Sequence, residues 1–280
     1  MLINSSQRPF YKLKDVLFLM WDKYSFDNFT VRLARNLNEI KAAQRLRYDV
    51  FIEEMGATSD LVDHNARLES DKFDEYFDHL LLFDRNKREI NMGVVGVYRL
   101  LPDHKLPICA KYYSQEEYDL KKLKNSGRKI MELGRSCVHK SYRGGTALTH
   151  LWTGLTEYVY QNGIEILFGV ASFHGTNPSK IAPSLSLLHS KYLAPPDLMV
   201  TAKSPNKQRM DLVDMHKVDR VAAMKQIPSL IKAYLRIGGF VGKDAYIDHA
   251  INTIDVCMVL DIERANLKKL SAYRKETYFR

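Results

Sequence analysis

Residues 131–154, MELGRSCVHKSYRGGTALTHLWTG, constrain the fold more than any other stretch, because strand, turn and helix patterns follow one another without a spacer. Residues 130–139 carry Met131, Leu133, Cys137 and Val138 and read as a strand. A basic, glycine-rich turn follows at 140–145 (KSYRGG). From Thr146 onward Leu148, Leu151, Trp152, Leu155 and Val159 recur at the three- and four-residue spacing of a helix. A strand, a turn that frees backbone N–H groups and a helix N-terminus together make a cradle for an anionic or strongly accepting group. Two charged residues, Glu132 and Arg135, stand inside the apolar strand, where an unpaired charge is costly. Residues three apart on a regular strand face opposite sides. Gly134 lies between them, and an internal strand glycine often marks a bulge. One extra residue there turns Glu132 and Arg135 to the same face; the competing reading is a buried structural ion pair.

The rest of the chain reads as one mixed α/β domain over residues 29–262, preceded by an N-terminal arm (1–28) and followed by a basic tail (263–280). Strands are expected at 29–34, 78–84, 93–100, 166–172 and 253–261, with shorter ones at 198–202 and 209–213. Helices are expected after a cap at Asn36 or Asn38, near 115–123, and over 178–192 and 228–235, the last stopped by Gly238-Gly239. Residues 56–67 read as a polar loop.

Charge narrows the function. The chain carries a net charge of +9, but segment 53–78 is acidic, and basic residues gather at 121–129, at Lys140 and Arg143, at 203–209 and from Arg264 onward. This split suits a cationic small substrate near the acidic run, with an acidic macromolecule or an anionic membrane on the basic face. No nucleic-acid-binding motif accompanies the charge. Three cysteines, Cys109, Cys137 and Cys257, lack metal-like spacing and point to a reducing compartment. No apolar run reaches the ~20 residues of a membrane span, and residues 15–21 are too short for a signal segment.

Several motif-like matches dissolve on inspection. His79 and Asp84 have the spacing of a glycerolipid acyltransferase dyad, yet residues five apart on a strand face opposite ways. Asp63, His64, Asp71, Asp74, Asp78 and His79 match no zinc or calcium pattern, so no metal site is expected. Cys137 beside His139 is a conceivable nucleophile, but a small buried strand cysteine is the commoner case.

A family resemblance emerges from residues 47–56 (RYDVFIEEMG), 78–81 (DHLL), 96–101 (GVYRLL), 132–139 (ELGRSCVH), 142–144 (YRG), 151–155 (LWTGL), 233–240 (AYLRIGGF) and 252–257 (NTIDVC). Together these resemble the ornithine Nα-acyltransferases of bacterial ornithine-lipid synthesis, a branch of the GNAT superfamily related to acyl-homoserine-lactone synthases. The resemblance implies a three-layer fold, with helices on both faces of a twisted, largely antiparallel sheet whose strands splay. It implies an N-acyltransferase that moves a 3-hydroxyacyl group from acyl carrier protein to L-ornithine in the cytoplasm.

By the same resemblance, Arg47, Phe51, Asp71 or Asp74, Arg99, Glu132 and Arg135 correspond to the polar set of the lactone synthases. Two departures point away from that synthase activity. Met55-Gly56 stands where a tryptophan is usual, and the 238–240 and 252–257 segments belong with the ornithine-lipid branch. A third concerns the donor: residues 143–148 (RGGTAL) weaken the usual coenzyme A loop, which agrees with a carrier-protein donor docking on Lys140 and Arg143. The expected mechanism is direct attack of the α-amine on the thioester. Glu132 serves as base, directly or through water, backbone N–H groups near Ser136 to Val138 face the oxyanion, and Arg99 or Arg135 holds the acceptor carboxylate. A carboxylate of the acidic run holds the δ-ammonium. No bound cofactor is expected beyond the donor's 4′-phosphopantetheine; peripheral contact with the anionic inner membrane is a further expectation. The rival readings are a lactone synthase using S-adenosylmethionine and a non-catalytic carrier- or membrane-binding module.

Overall fold

The computed structural model describes residues 28–58, 62–87, 89, 91–106 and 111–265. The expected arm up to residue 27, nearly all of the tail, the 15–21 segment and Cys109 lie outside the described residues.

An eight-stranded sheet organises the chain. Its strands are β1 (Phe29–Leu33), β4 (Asp78–Asp84), β5 (Val94–Pro102), β7 (Ile130–Val138), β8 (Ile166–His174), β10 (Lys207–Gln208), β11 (Phe240–Asp248) and β12 (Thr253–Asp261). Their spatial order is β1-β4-β5-β7-β8-β12-β11-β10. Only β7 and β8 run parallel; the other pairs are antiparallel. Two small ribbons stand apart, β2 (Val62–Asp63) with β3 (Leu68–Glu69) and β6 (Tyr118–Asp119) with β9 (Thr201–Ala202).

Helices cover both faces because neighbouring strand residues point opposite ways. Helix α1 (Leu37–Arg47) starts where Asn36 accepts from the Glu39 N–H at 3.1 Å, and it buries Ala42, Ala43 and Leu46 with Leu81, Val97 and Cys137. It runs on into a π-helical segment, Tyr48–Glu54. Helix α2 (Lys121–Lys124) is a single turn. Helix α3 (Ala147–Asn162) lies on the opposite face, with Leu151 and Leu155 packed among Leu80, Leu82, Tyr98 and Leu100. Gly154 lets it approach β1: a Cβ there would stand 2.2 Å from Val31 Cγ1. Helices α4 (Ala182–Tyr192), α5 (Arg220–Gln226) and α6 (Ser229–Arg236) complete the covering. Among the described residues no helix is long and apolar enough to cross a membrane.

Differences from the expected elements are local. The 56–67 loop and its continuation contain the β2–β3 ribbon, the 209–213 segment is not a strand, and α5 and β11 are additional. In β11 the run Gly242-Lys243-Asp244 interrupts the apolar alternation that would announce a strand.

Two irregularities of β7 make the site. Arg99 opposes Gly134 while Val97 opposes Cys137, so two steps along β5 match three along β7. That is a bulge, and Arg135 occupies it with φ +48°. Second, β7 pairs with β8 only from Ile130↔Ile166 to Glu132↔Phe168. Beyond that point β7 follows β5 and β8 follows β12 as far as His174, so the two central strands part like a fork. Gly169 allows the parting: a Cβ there would meet the Leu133 carbonyl oxygen at 2.1 Å.

Candidate active site

A cavity of about 330 Å³ fills the fork. One wall is β7 after the bulge, Arg135 to Val138; the other is Val170 to Ser172 of β8. Phe51 and Tyr113 contribute side chains, Arg143 to Gly145 form the edge at the start of α3, and Asp255 of β12 reaches in. The cradle expected from residues 140–146 thus borders the cavity.

The bulge does turn Glu132 and Arg135 to one face, where both meet Tyr113. Glu132 accepts from the Tyr113 N–H at 2.8 Å and from the Ser114 N–H at 2.6 Å and hydroxyl at 2.5 Å. Arg135 stacks its guanidinium 4.8 Å from the Tyr113 ring centre. They are not each other's partner. Glu132 is 1% exposed and does not line the cavity. Burial pushes its pKa up to about 6 even though the Ser114 and Tyr113 donors pull it down. Direct contact with a substrate amine is therefore not what its geometry offers; its carboxylate pins the 113–114 segment against β7.

Most of the remaining charged set forms a closed, buried network. Arg47, fully buried, bonds Glu69 Oε2 at 2.5 Å and both oxygens of Asp74 at 2.7 and 2.9 Å. Arg99, also fully buried, bonds Asp71 at 2.6 Å and Asp74 at 2.7 Å. Arg135 reaches Glu69 at 3.1 Å and Asp71 at 3.2 Å. Burial alone would raise the three carboxylate pKa values, but the arginines outweigh it and hold all three below the usual carboxylate range. Of this set only Arg135 lines the cavity. Arg47, Asp71, Asp74 and Arg99, expected around the substrate, instead buttress the bulge from behind. The acidic run is equally occupied elsewhere: Glu53 and Asp49 pair with Arg67, and Asp78 with Lys105.

A second set of acids had no expected role. Glu117, Asp248 and Asp255 come from the insertion, the end of β11 and β12, and a carboxylate oxygen of each lies within 4.8 Å of the others. Among the described residues none of the three makes an ion pair. Burial, reinforced by its acidic neighbours, pushes Glu117 well up and Asp255 up to about 6. Asp255 carried the same signal in the sequence as Glu132, a charge in an apolar strand (TIDVCMVLD); Glu69 was marked only as part of the acidic run, and Glu117, Asp248 and Tyr113 carried none.

The other expected residues divide. Cys137 lines the cavity, but burial pushes its thiol up to about 12, which keeps it protonated near neutrality. His79 points into the arginine network, with Nε2 3.0 Å from the Asp74 carbonyl, whereas Asp84 accepts from the Tyr142 hydroxyl at 2.7 Å. The two do not meet. Lys140 is exposed next to the cavity edge; Arg143 donates to the Val138 carbonyl at 2.9 Å and pairs with Glu54 at 2.7 Å.

Residues 46–153 match the acetyltransferase (GNAT) domain family. The fold resembles that of FeeM, an N-acyl amino acid synthase from uncultured soil microbes, with a TM-score of 0.50 and 13% identity, covering 86% of this chain and 97% of that one. An L-ornithine Nα-acyltransferase of Rhodobacter capsulatus is 47% identical over 249 residues, 89% of this chain and 95% of the relative. A second, from Brucella abortus, is 39% identical over 249 residues, 88% of this chain and 89% of the relative. At that identity and coverage the forked sheet and its cavity have a family: the chain is an acyltransferase and belongs to the L-ornithine Nα-acyltransferases, within the GNAT fold.

Proposed function

We propose that this enzyme moves a 3-hydroxyacyl group from acyl carrier protein to the α-amine of L-ornithine, producing lyso-ornithine lipid. The observation that carries the reading is the cavity between β7 and β8, in a chain related along most of its length to ornithine acyltransferases. The His139 N–H donates to the Val95 carbonyl on β5. Strand alternation therefore turns the N–H and C=O of Val138, and of Ser136 two residues before it, toward the gap. A pantetheine arm in that gap is held by backbone hydrogen bonds, as an added strand would be. The N–H groups of Ser136 and Val138 face the thioester oxygen as it becomes an oxyanion, an effect of about 3–4 kcal/mol in comparable sites.

The acceptor's α-amine attacks the thioester carbon. The C–N bond forms, the C–S bond breaks, and the proton shed by nitrogen leaves with the pantetheine sulfur as a thiol. An α-amine titrates near ~8 and a side-chain amine near ~10.4, so the α-amine supplies more free base at neutral pH. Arg135, at the cavity wall with Glu69 and Asp71 behind it, takes the acceptor carboxylate. Glu132 acts by positioning Tyr113 and Ser114. The acidic surface of the carrier meets Lys140 and Arg143 at the cavity edge, and basic surface residues bring the enzyme to the anionic cytoplasmic face of the inner membrane, where a lipid product belongs.

The test is incubation of purified enzyme with labelled 3-hydroxyacyl carrier protein and a mixture of ornithine, lysine and glutamine, with the product's acylated nitrogen located by fragmentation. Nα-acyl-ornithine as the dominant product is expected. Lactone formed from S-adenosylmethionine would favour the synthase reading, and an enzyme inert with every amine the binding-module reading.

A further inference from the structure

We propose that Glu117, Asp248 and Asp255 form the subsite that takes the side-chain ammonium of the diamino-acid acceptor, and that this subsite sets the preference for an acceptor with a second positive charge. The proposal rests on the acceptor reading above and assigns residues to it.

The subsite is assembled from far apart in the chain. Asp248 ends β11 and Asp255 lies on β12, whose register pairs Asp248 with Thr253 and Tyr246 with Asp255. Glu117 comes in just ahead of β6, on the segment that Glu132 pins through Tyr113 and Ser114. Asp255 lines the acyl-transfer cavity together with Tyr113, Ser172 and Ile251, so the cluster opens into the space where acceptor and thioester meet. Asp248 is fixed by the Ala250 and Ile251 N–H groups, which donate to its Oδ1 at 2.8 and 3.0 Å.

What points to a ligand is unmet bonding. Glu117 is 4% exposed and Asp255 3%, yet Glu117 Oε2 and Asp255 Oδ1 have no hydrogen-bond partner. Buried carboxylates are ordinarily paired, as Glu69, Asp71 and Asp74 are. Three acids crowded together with no ion-pair partner among the described residues, and with Arg135 relieving only part of the cost, oppose folding, and such unrelieved cost is typical of binding sites. The geometry suits an ammonium. Three acceptors ~2.8 Å from one nitrogen along its tetrahedral N–H directions stand ~4.6 Å apart, and the oxygens here lie within 4.8 Å of one another.

Chemistry gives the subsite a second consequence. Carboxylates around an ammonium hold it in its charged form. A side-chain nitrogen bound there is kept protonated and cannot attack, which leaves the α-amine as the nucleophile. One pocket thus supplies both acceptor choice and choice of nitrogen.

The test compares kcat/KM for ornithine and for norvaline, the same skeleton without the δ-amine, in wild type, Glu117→Gln and Asp248→Asn, each with its thermal melting midpoint. Wild type is expected to prefer ornithine, and either variant to lower the ornithine-to-norvaline ratio by at least about 30-fold, as when a buried charge partner is removed. The melting midpoint should not fall, because each substitution relieves like-charge crowding. A ratio unchanged in both variants overturns the proposal alone. So does a preference that a chelator abolishes and added magnesium or calcium restores, which would make the cluster a metal site. A wild type that acylates neither compound overturns the acceptor reading, and the proposal with it.

Discussion

Two clusters of three carboxylates have opposite electrostatics. Glu69, Asp71 and Asp74 face Arg47, Arg99 and Arg135, and their pKa values are depressed. Glu117, Asp248 and Asp255 make no ion pair among the described residues; the charge of Arg135 acts on Glu117 and Asp255 without outweighing burial, and both titrate high. The same side chains therefore do different work. The neutralised set is a fastener that keeps the β7 bulge in shape, while the unneutralised set stores a demand for positive charge that a substrate can meet. Composition alone does not separate them, since both are small groups of buried and half-buried acids.

The largest expected effect breaks the neutral cluster. Arg99→Met leaves Asp71 and Asp74 buried with fewer partners and should destabilise the protein by about 3–5 kcal/mol in urea unfolding. Gly169→Ala forces a methyl into the Leu133 carbonyl at the fork and should cost about 1–3 kcal/mol, with a matching fall in acyl transfer.

The opposite sign is expected for the second cluster. The Asp255 pKa is about 6 in the folded protein, above its unfolded value near ~3.9. Below about pH 4 the group is protonated in both states and has no effect; ionisation across the window up to about 6 withdraws stability. Asp255→Asn should thus be more stable than wild type at pH 8, by about 1–3 kcal/mol, with the gain vanishing by about pH 4. Glu132→Gln sharpens the distinction between holding and reacting. Its amide cannot accept from all three donors, so turnover should fall, with a stability loss of about 1–3 kcal/mol. The acid limb of the pH–rate profile should stay where it is, whereas loss of that limb would restore Glu132 as the base.

Much of the architecture was legible because it rests on local signals. The Asn36 cap, the long α3 stripe, the apolar strands β4, β5, β8 and β12 and the glycine-marked bulge in β7 need only neighbours in sequence. The cavity lining was legible where it coincides with them, at Arg135 to Val138, at Arg143 and at Phe51. Which acids meet which arginines is decided by long-range pairing. Arg47, Arg99 and Arg135 arrive from α1, β5 and β7 to occupy Glu69, Asp71 and Asp74, and so the run that looked like a cation site is already filled. Glu117 and Asp248 carried no signal because the insertion and β11 gave no clear pattern of their own. Glu132 was recognisable as unusual, but its partners, two backbone N–H groups and a serine hydroxyl, leave no trace in side-chain chemistry.

The most direct measurement is the ratio of kcat/KM for ornithine to that for norvaline, followed from about pH 5 to pH 8. Both acceptors carry the same α-amine, so its titration cancels, and the δ-ammonium stays charged throughout this range. The ratio should be high at pH 8 and fall toward one as the pH drops through about 6 and Asp255 takes up a proton. A ratio that stays flat across that range would contradict the assignment of the unpaired acids to the acceptor's second charge.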